Sequence, residues 1–265
     1  MYEFSYHKPA SVADAVKLLS ADPEARPVSG GMTLLPALKL RLSKPTSLVD
    51  LSGIAELRGV KRDGNTIVIG ALTKHYEVAT SAEIKAAIPA LAWMASTIGD
   101  TQVRNRGTMG GSVANNDPSA DYPAALLALG ATIQTDRRKI AADDFFQGMF
   151  ATALDAGEIV TAIHIPVPDK AGYAKMKNPA SRYSMAGVFV AKGSAGVRVA
   201  VNGAGANGAF RATAMEAALA ANWSADAVAG IKLDAGMMNG DIHASADYRA
   251  HLVTVMAKRA VVNAG

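Results

Sequence analysis

The stretch NRGTMGGSVANNDPSADYPAALLALG, residues 105–130, packs a glycine pair, an acid and the start of a helix into one segment. Gly110 and Gly111 remove two Cβ atoms where backbone N–H groups can close on a phosphate. Ser119 and Asp121 stand where the apolar run Ala124 to Leu129 begins a helix, which places Asp121 to hold a ribose or an adenine. The pattern points to a bound cofactor.

Upstream, Ser29-Gly30-Gly31-Met32-Thr33-Leu34-Leu35-Pro36 lies between a short strand, Pro27-Val28, and an apolar stretch with spaced basic residues, Met32 to Leu42, that reads as a helix. The helix N-terminus would turn its free N–H groups toward a pyrophosphate, and Thr33 adds a hydroxyl. Taken alone, this segment reads rather as a tight helix entry. Paired with the second glycine segment, it suits a dinucleotide held between two modules. A third segment, Gly203-Ala204-Gly205-Ala206-Asn207-Gly208, matches G-x-G-x-x-G after a predicted strand. Here the context fails: Phe210-Arg211 intervenes before any helix, and Asp226 falls inside a helical pattern. A glycine-rich turn at a strand end is expected instead.

Working outward, Ser11-Val12-Ala13-Asp14 starts a helix with Val12, Ala15, Val16 and Leu19 on one face, and Ser47 to Asp50 reads as a return strand, giving a βαβ-like first module over 1–53. Asp63-Gly64-Asn65 marks a hairpin between Leu57–Val60 and Thr66–Ile69. A second module, 54–169, continues through helical patterns at Ala90 to Thr97 and Ala124 to Leu129 and strands at Ala131 to Thr135 and Glu158 to Ile165. Pro166, Pro168 and Gly172 punctuate the chain before a third module, 170–265, with extended stretches at Met185 to Ala191 and Val197 to Asn202 and three helices, the last over about 245–262.

The 265 residues are 50% hydrophobic, ample for a sizeable core, and carry a net charge of +4. The one basic run, Arg137-Arg138-Lys139, is short and poor in aromatic neighbours, which argues against nucleic-acid binding. With no cysteine, the chain itself supplies no disulfide, thiolate or cysteine-ligated iron–sulfur cluster. Met1-Tyr2-Glu3-Phe4 opens without a basic patch or apolar h-region and no long apolar run follows, so no membrane span and a cytoplasmic location are expected. The five histidines lack metal-ligand spacing and read as surface or hydrogen-bonding residues. Arg104 and Arg106 read as phosphate contacts or as structural residues. Trp93 and Trp223 read as core or module-contact residues.

Ser29 to Pro36, Asn105 to Asp121 with its Tyr-Pro-Ala-Ala-Leu-Leu-Ala-Leu sequel, and Ser181-Arg182-Tyr183 resemble the FAD-binding medium subunit of molybdenum hydroxylases, the aerobic carbon monoxide dehydrogenase type above all. The resemblance runs from Tyr2-Glu3-Phe4 to the segment 241–249. It implies an α+β chain: a vanillyl-alcohol-oxidase-type FAD-binding fold in two subdomains, plus an α+β C-terminal domain of the carbon monoxide dehydrogenase flavoprotein type. It further implies a complex with a small [2Fe–2S] subunit and a large molybdenum-cofactor subunit, as a dimer of heterotrimers, cytoplasmic or held at the inner face of the membrane through the complex. By matched position, Ser29, Gly30, Gly31, Met32, Thr33 and Leu34, with Gly107, Thr108, Gly110, Gly111 and Ser112, would wrap the pyrophosphate and ribityl chain. Ala114 and Asp121 would face the adenosine, and Ile159 would line the flavin through its backbone. Lys177 would stand near the pyrimidine edge and Tyr183 over the ring face. Two departures are Met32, where a polar residue is common, and Asn115-Asn116-Asp117 in place of the frequent His-Ala-Asp.

The function expected is therefore an FAD-binding electron-transfer subunit that takes electrons from partner clusters and contributes no catalytic acid, base or metal ligand of its own. A stand-alone FAD oxidase and a non-catalytic dinucleotide-binding module are the alternatives.

Overall fold

The computed structural model describes residues 1–264. The chain begins with β1 (Ser5–His7), α1 (Val12–Ala21), β2 (Arg26–Val28), α2 (Leu34–Lys39) and β3 (Ser47–Asp50), forming a parallel three-stranded sheet in the order β1-β3-β2. Ser11 caps α1 as its sequence predicts, its Oγ accepting from the Asp14 N–H at 3.1 Å. α2 is shorter than the apolar pattern over 32–42: Arg41 adopts a left-handed φ of 59°, and the Leu42 N–H reaches back to the Ala37 carbonyl at 2.9 Å, closing the helix early.

Next come β4 (Val60–Asp63), β5 (Thr66–Gly70), α3 (His75–Thr80), α4 (Ala82–Ala87), α5 (Pro89–Ser96), α6 (Thr101–Arg106), α7 (Met109–Asn115) and α8 (Tyr122–Leu129). After them follow β6 (Thr132–Thr135), β7 (Lys139–Ala141), α9 (Ala142–Phe145), β8 (Phe146–Gly148), β9 (Ala151–Thr152) and β10 (Val160–Pro166). Strands β4-β5-β10-β6-β7 make one sheet, antiparallel throughout. The hairpin strand begins at Val60 rather than Leu57, because 55–57 winds into a 3₁₀ turn that buries Leu57.

The last part holds β11 (Lys170–Lys177), β12 (Ser184–Gly193), β13 (Gly196–Asn202), β14 (Phe210–Arg211), α10 (Thr213–Ala221), α11 (Ala225–Ala229) and α12 (Ala246–Asn263), with an antiparallel sheet β11-β12-β13-β14. The G-x-G-x-x-G segment leads from β13 into β14, which pairs antiparallel with β13. No helix opens inside it, so the dinucleotide-fold reading of 203–208 fails and the strand-end turn stands.

Helix α8 is the keel of the molecule. All eight of its residues are buried, a pattern possible only for a helix covered on every side. It packs on β12 and β13 with one flank and on β10 with another, so one core joins residues of the second and third sheets. Each buried leucine on it contributes about 1.5–3 kcal/mol of burial. Gly130, in a left-handed conformation, ends it. The keel sets the distance between the sheets, and the loop before it, 116–121, opens onto a cavity.

Candidate functional site

A cavity of about 520 Å³ lies where the first sheet meets helices α6 and α7 and strand β11. Ser29 to Leu34, Gly107, Thr108, Gly110 to Ser112, Ala114, Asp121, Ile159 and Tyr183 all line it. Lys177 does not.

The two glycine segments play different parts. Among the described residues, the six consecutive N–H groups from Ser29 to Leu34 have no acceptor in the protein; the first paired amide is that of Leu35, bonded to the Gly31 carbonyl at 3.1 Å. Such a run of unpaired amides around the start of a helix is a ready anion cradle. By contrast, the amides at the start of α7 are spent internally. Met109 N–H donates to the Thr73 carbonyl (2.9 Å), Gly110 N–H to the Ala71 carbonyl (2.9 Å) and Gly111 N–H to Thr108 Oγ1 (3.1 Å). The expectation that Gly110 clears space for a phosphate is corrected accordingly: a Cβ there would meet Ala71 at 2.5 Å, so the glycine serves helix-to-strand packing. Gly30 serves the seam between modules, since its Cβ would lie 2.2 Å from the Arg106 carbonyl oxygen. Ser29 Oγ and Thr108 Oγ1, 3.0 Å apart, stitch the same seam.

The electrostatics of the cavity turn on a buried network that the sequence pattern does not reveal. Lys175, not Lys177, is the lysine that lines the cavity. Its Nζ lies 2.7 Å from Asp121 Oδ2, and the two side chains are 2% and 6% exposed. Tyr173 Oη donates to Asp121 Oδ1 at 2.5 Å, and Asn202 Nδ2 reaches the same oxygen at 3.4 Å. Burial, and then the Asp121 charge, push the Tyr173 phenol well above its ordinary value, so it remains a donor. Asp121 therefore borders the cavity with its carboxylate engaged by Lys175 and Tyr173, which leaves it less free for the ribose or adenine it is expected to hold. Lys177 lies outside the cavity lining, exposed, just past a register shift between Met176 and Lys177.

Ile159 also differs from expectation. Its N–H donates to Asp136 Oδ1 (2.8 Å) and its carbonyl accepts from the Asp136 N–H (3.1 Å), so its amide is not free to bond a ligand. Tyr183 is half exposed at the mouth. Burial, then Asp117 and Asp121, raise its phenol pKa.

His75 lines the cavity too and is 5% exposed with its Nδ1 unpaired, contrary to the surface or hydrogen-bonding role expected for the histidines. Burial, and secondarily Arg104, lower its pKa to about 4, so it is neutral at neutral pH. Neither Arg104 nor Arg106 lines the cavity; Arg104 donates to the Ile98 carbonyl at 2.6 Å. Trp93, expected in the core or at a module contact, is 60% exposed, while Trp223 packs against the C-terminal core.

Glu158 closes the cavity's far wall. Arg138, hydrogen-bonded to it at 2.9 Å, together with the Asp155 N–H and Thr135, holds it down to about 2. Its folded value lies below the ordinary 4.5, so the pair's contribution to stability is complete above pH 4.5 and is lost as the pH falls toward 2. Glu158→Gln is expected to flatten the fall in Tm over that window. An acid limb of unchanged steepness in calorimetry would contradict this.

Comparison with known proteins places this geometry. Residues 2–168 match the family described as the FAD binding domain in molybdopterin dehydrogenase. The chain is 34% identical over 284 residues to the carbon monoxide dehydrogenase medium chain of Hydrogenophaga pseudoflava, covering 97% of this chain and 96% of the relative. It is 40% identical over 195 residues to the glyceraldehyde dehydrogenase medium chain of Sulfolobus acidocaldarius, covering 71% and 69%. Among solved structures, reconstituted CO dehydrogenase from Oligotropha carboxidovorans superposes with a TM-score of 0.91 at 34% identity, over 99% of this chain and 98% of the other. Quinoline 2-oxidoreductase from Pseudomonas putida 86 superposes with a TM-score of 0.88 at 28% identity, over 98% and 96%. The fold is the α+β architecture of these flavoproteins. The chain belongs to the family of FAD-binding domains of molybdopterin dehydrogenases, and FAD is its cofactor.

Proposed function

We propose that this chain carries FAD as the electron-transferring subunit of a molybdenum-dependent hydroxylase, receiving electrons from [2Fe–2S] clusters of a small partner subunit and passing them to an external acceptor. Substrate oxidation would take place at the molybdenum centre of a large partner subunit, with the whole assembled as a dimer of heterotrimers. The observation that carries the reading is the run of six unpaired amides, Ser29 to Leu34, facing a cavity bounded by two modules. Side chains at 32 and 115–117 do not enter that cradle's donor set, so the departures there leave the fit intact.

When bound, FAD supplies exchange of one or two electrons between donors and acceptors. The chain's own residues then have definite tasks. The amides of Ser29 to Leu34 hold the pyrophosphate, and the wall from Gly107 to Ala114 shapes the path of the ribityl chain and adenosine. Lys175 fixes a positive charge in the wall, held by Asp121 and Tyr173. Tyr183 covers the mouth and limits water access.

If the chain is one station of a relay, the purified protein is expected to bind FAD and accept electrons from an artificial donor, yet oxidise no carbon monoxide, aldehyde or N-heterocycle. Adding the iron–sulfur and molybdenum subunits should then give substrate-dependent bleaching of the flavin. Turnover by the single chain would favour the stand-alone oxidase, and absence of FAD binding the non-redox module.

Tyr183→Ala is expected to shift the flavin absorption bands and speed reoxidation, as a ring over the mouth would be removed. Identical spectra and rates would place the ring elsewhere. Lys177→Met, outside the cavity, should leave both FAD affinity and midpoint potential as they are.

A further inference from the structure

A second cavity, also about 520 Å³, opens between β11, α5 and α12. Three elements each give it one face by their own periodicity. Trp93 on α5 and Thr97 at its C-cap are one turn apart, Met256, Arg259 and Asn263 share a stripe of α12, and Tyr173, Lys175 and Lys177 alternate along β11. The charge is one-sided: Lys177, Lys258 and Arg259 line the cleft, no acidic side chain does, and none of the three cations has a salt-bridge partner among the described residues. At its edge, Trp93 is 60% exposed, and no aromatic ring or cation covers its faces.

We propose that this cleft binds a nucleoside diphosphate, with the base stacked on the Trp93 indole and the phosphates held by Lys177, Lys258 and Arg259. An indole with an open face accepts any base by stacking, and clustered unpaired cations supply what a diphosphate needs. The volume suits a ligand of that size. Lys175 lines both cavities, so the occupant sits one side chain away from the cofactor wall. The site is separate from the cofactor cavity and stands whether or not the electron-transfer reading holds.

The test uses the full chain saturated with FAD, titrated by calorimetry with ADP, adenosine and inorganic pyrophosphate in turn. ADP should bind saturably and more tightly than either fragment. Lys258→Ala/Arg259→Ala should weaken ADP and pyrophosphate about tenfold or more, whereas Trp93→Leu should weaken ADP and adenosine but leave pyrophosphate unchanged. Trp93 and Arg259 are exposed and Lys258 is half-buried, and circular dichroism should show each variant folded. Three results would overturn the proposal: no saturable ADP binding, binding that these variants leave intact, or binding that disappears as FAD is raised, which would place ADP in the cofactor cavity. Burial of Trp93 by a partner subunit without ADP binding would make the cleft a protein interface and overturn it equally.

Discussion

Gly30→Val is expected to yield a folded chain that has lost its FAD and unfolds about 6–12 °C lower. The added Cβ would lie 2.2 Å from the Arg106 carbonyl oxygen and 2.7 Å from Gly107 Cα, and both obstacles are backbone. A flexible side chain could swing aside; a main chain anchored by the Gly107 N–H to the Val103 carbonyl and by the Gly107 carbonyl to the His75 N–H cannot. The seam must open instead. Overpacking of this kind costs about 1–3 kcal/mol for extra methylenes in a core, and a rigid obstacle puts this variant at the upper end. For a chain of this size each kcal/mol lowers Tm by about 2–4 °C. Opening the seam also moves the amides of Ser29 to Leu34 relative to the wall from Gly107 to Ser112, so cofactor loss should exceed what the stability change alone gives. The far-UV spectrum should be nearly unchanged, because the two sheets that flank the seam keep their own cores. Gly230→Ala, where a Cβ meets nothing, is the matched control. A Gly30→Val protein with one FAD per chain and an unaltered Tm would show that the seam is not the binding determinant.

How much of this was legible in the sequence follows from the length and regularity of each element. Helix α12 has 18 residues, α8 is flanked by Pro123 and Gly130, and α1 carries Ser11 as its cap, so periodicity and end signals agree on all three. Helices α3, α4 and α6 have six residues each, less than two turns, and their apolar positions are too few to show a period. α7 hides for another reason: a glycine pair reads as a loop, yet here the glycines sit inside a helix because Ala71 presses against it. β11 is masked by Pro166 and Pro168 before it and Gly172 within it.

The site shows the same division. Both glycine segments line the cavity, since local backbone demands leave a local signature. The choice between Lys175 and Lys177 leaves none. Two lysines at i and i+2 on a strand are equivalent in sequence; both line the second cleft, and only the tertiary packing around Asp121 brings Lys175 to the cofactor cavity as well. Likewise, Asp121 looks free in sequence because its partners, Lys175 and Tyr173, come more than fifty residues later.

That hidden pair supports the second large effect. Lys175→Met is expected to destabilise the chain by about 3–5 kcal/mol, the range for removing one partner of a buried ion pair and leaving the other charge without compensation. The side chains are 2% and 6% exposed, so water cannot replace the lost ammonium. The Tyr173 hydroxyl would remain as a donor to Asp121, a partial compensation that argues against a value beyond the range. The double variant Lys175→Met/Asp121→Asn should recover most of the loss, because a neutral amide can still pair with Tyr173 and Asn202 and no buried charge remains. Destabilisation from lost packing alone would persist in the double variant, since methionine nearly matches the lysine stem in both. Denaturant unfolding of the four proteins of this cycle reads the coupling directly. A single-variant loss under 1 kcal/mol, or a double variant no more stable than Lys175→Met, would show that the pair is solvated in solution and that the cavity wall does not depend on it.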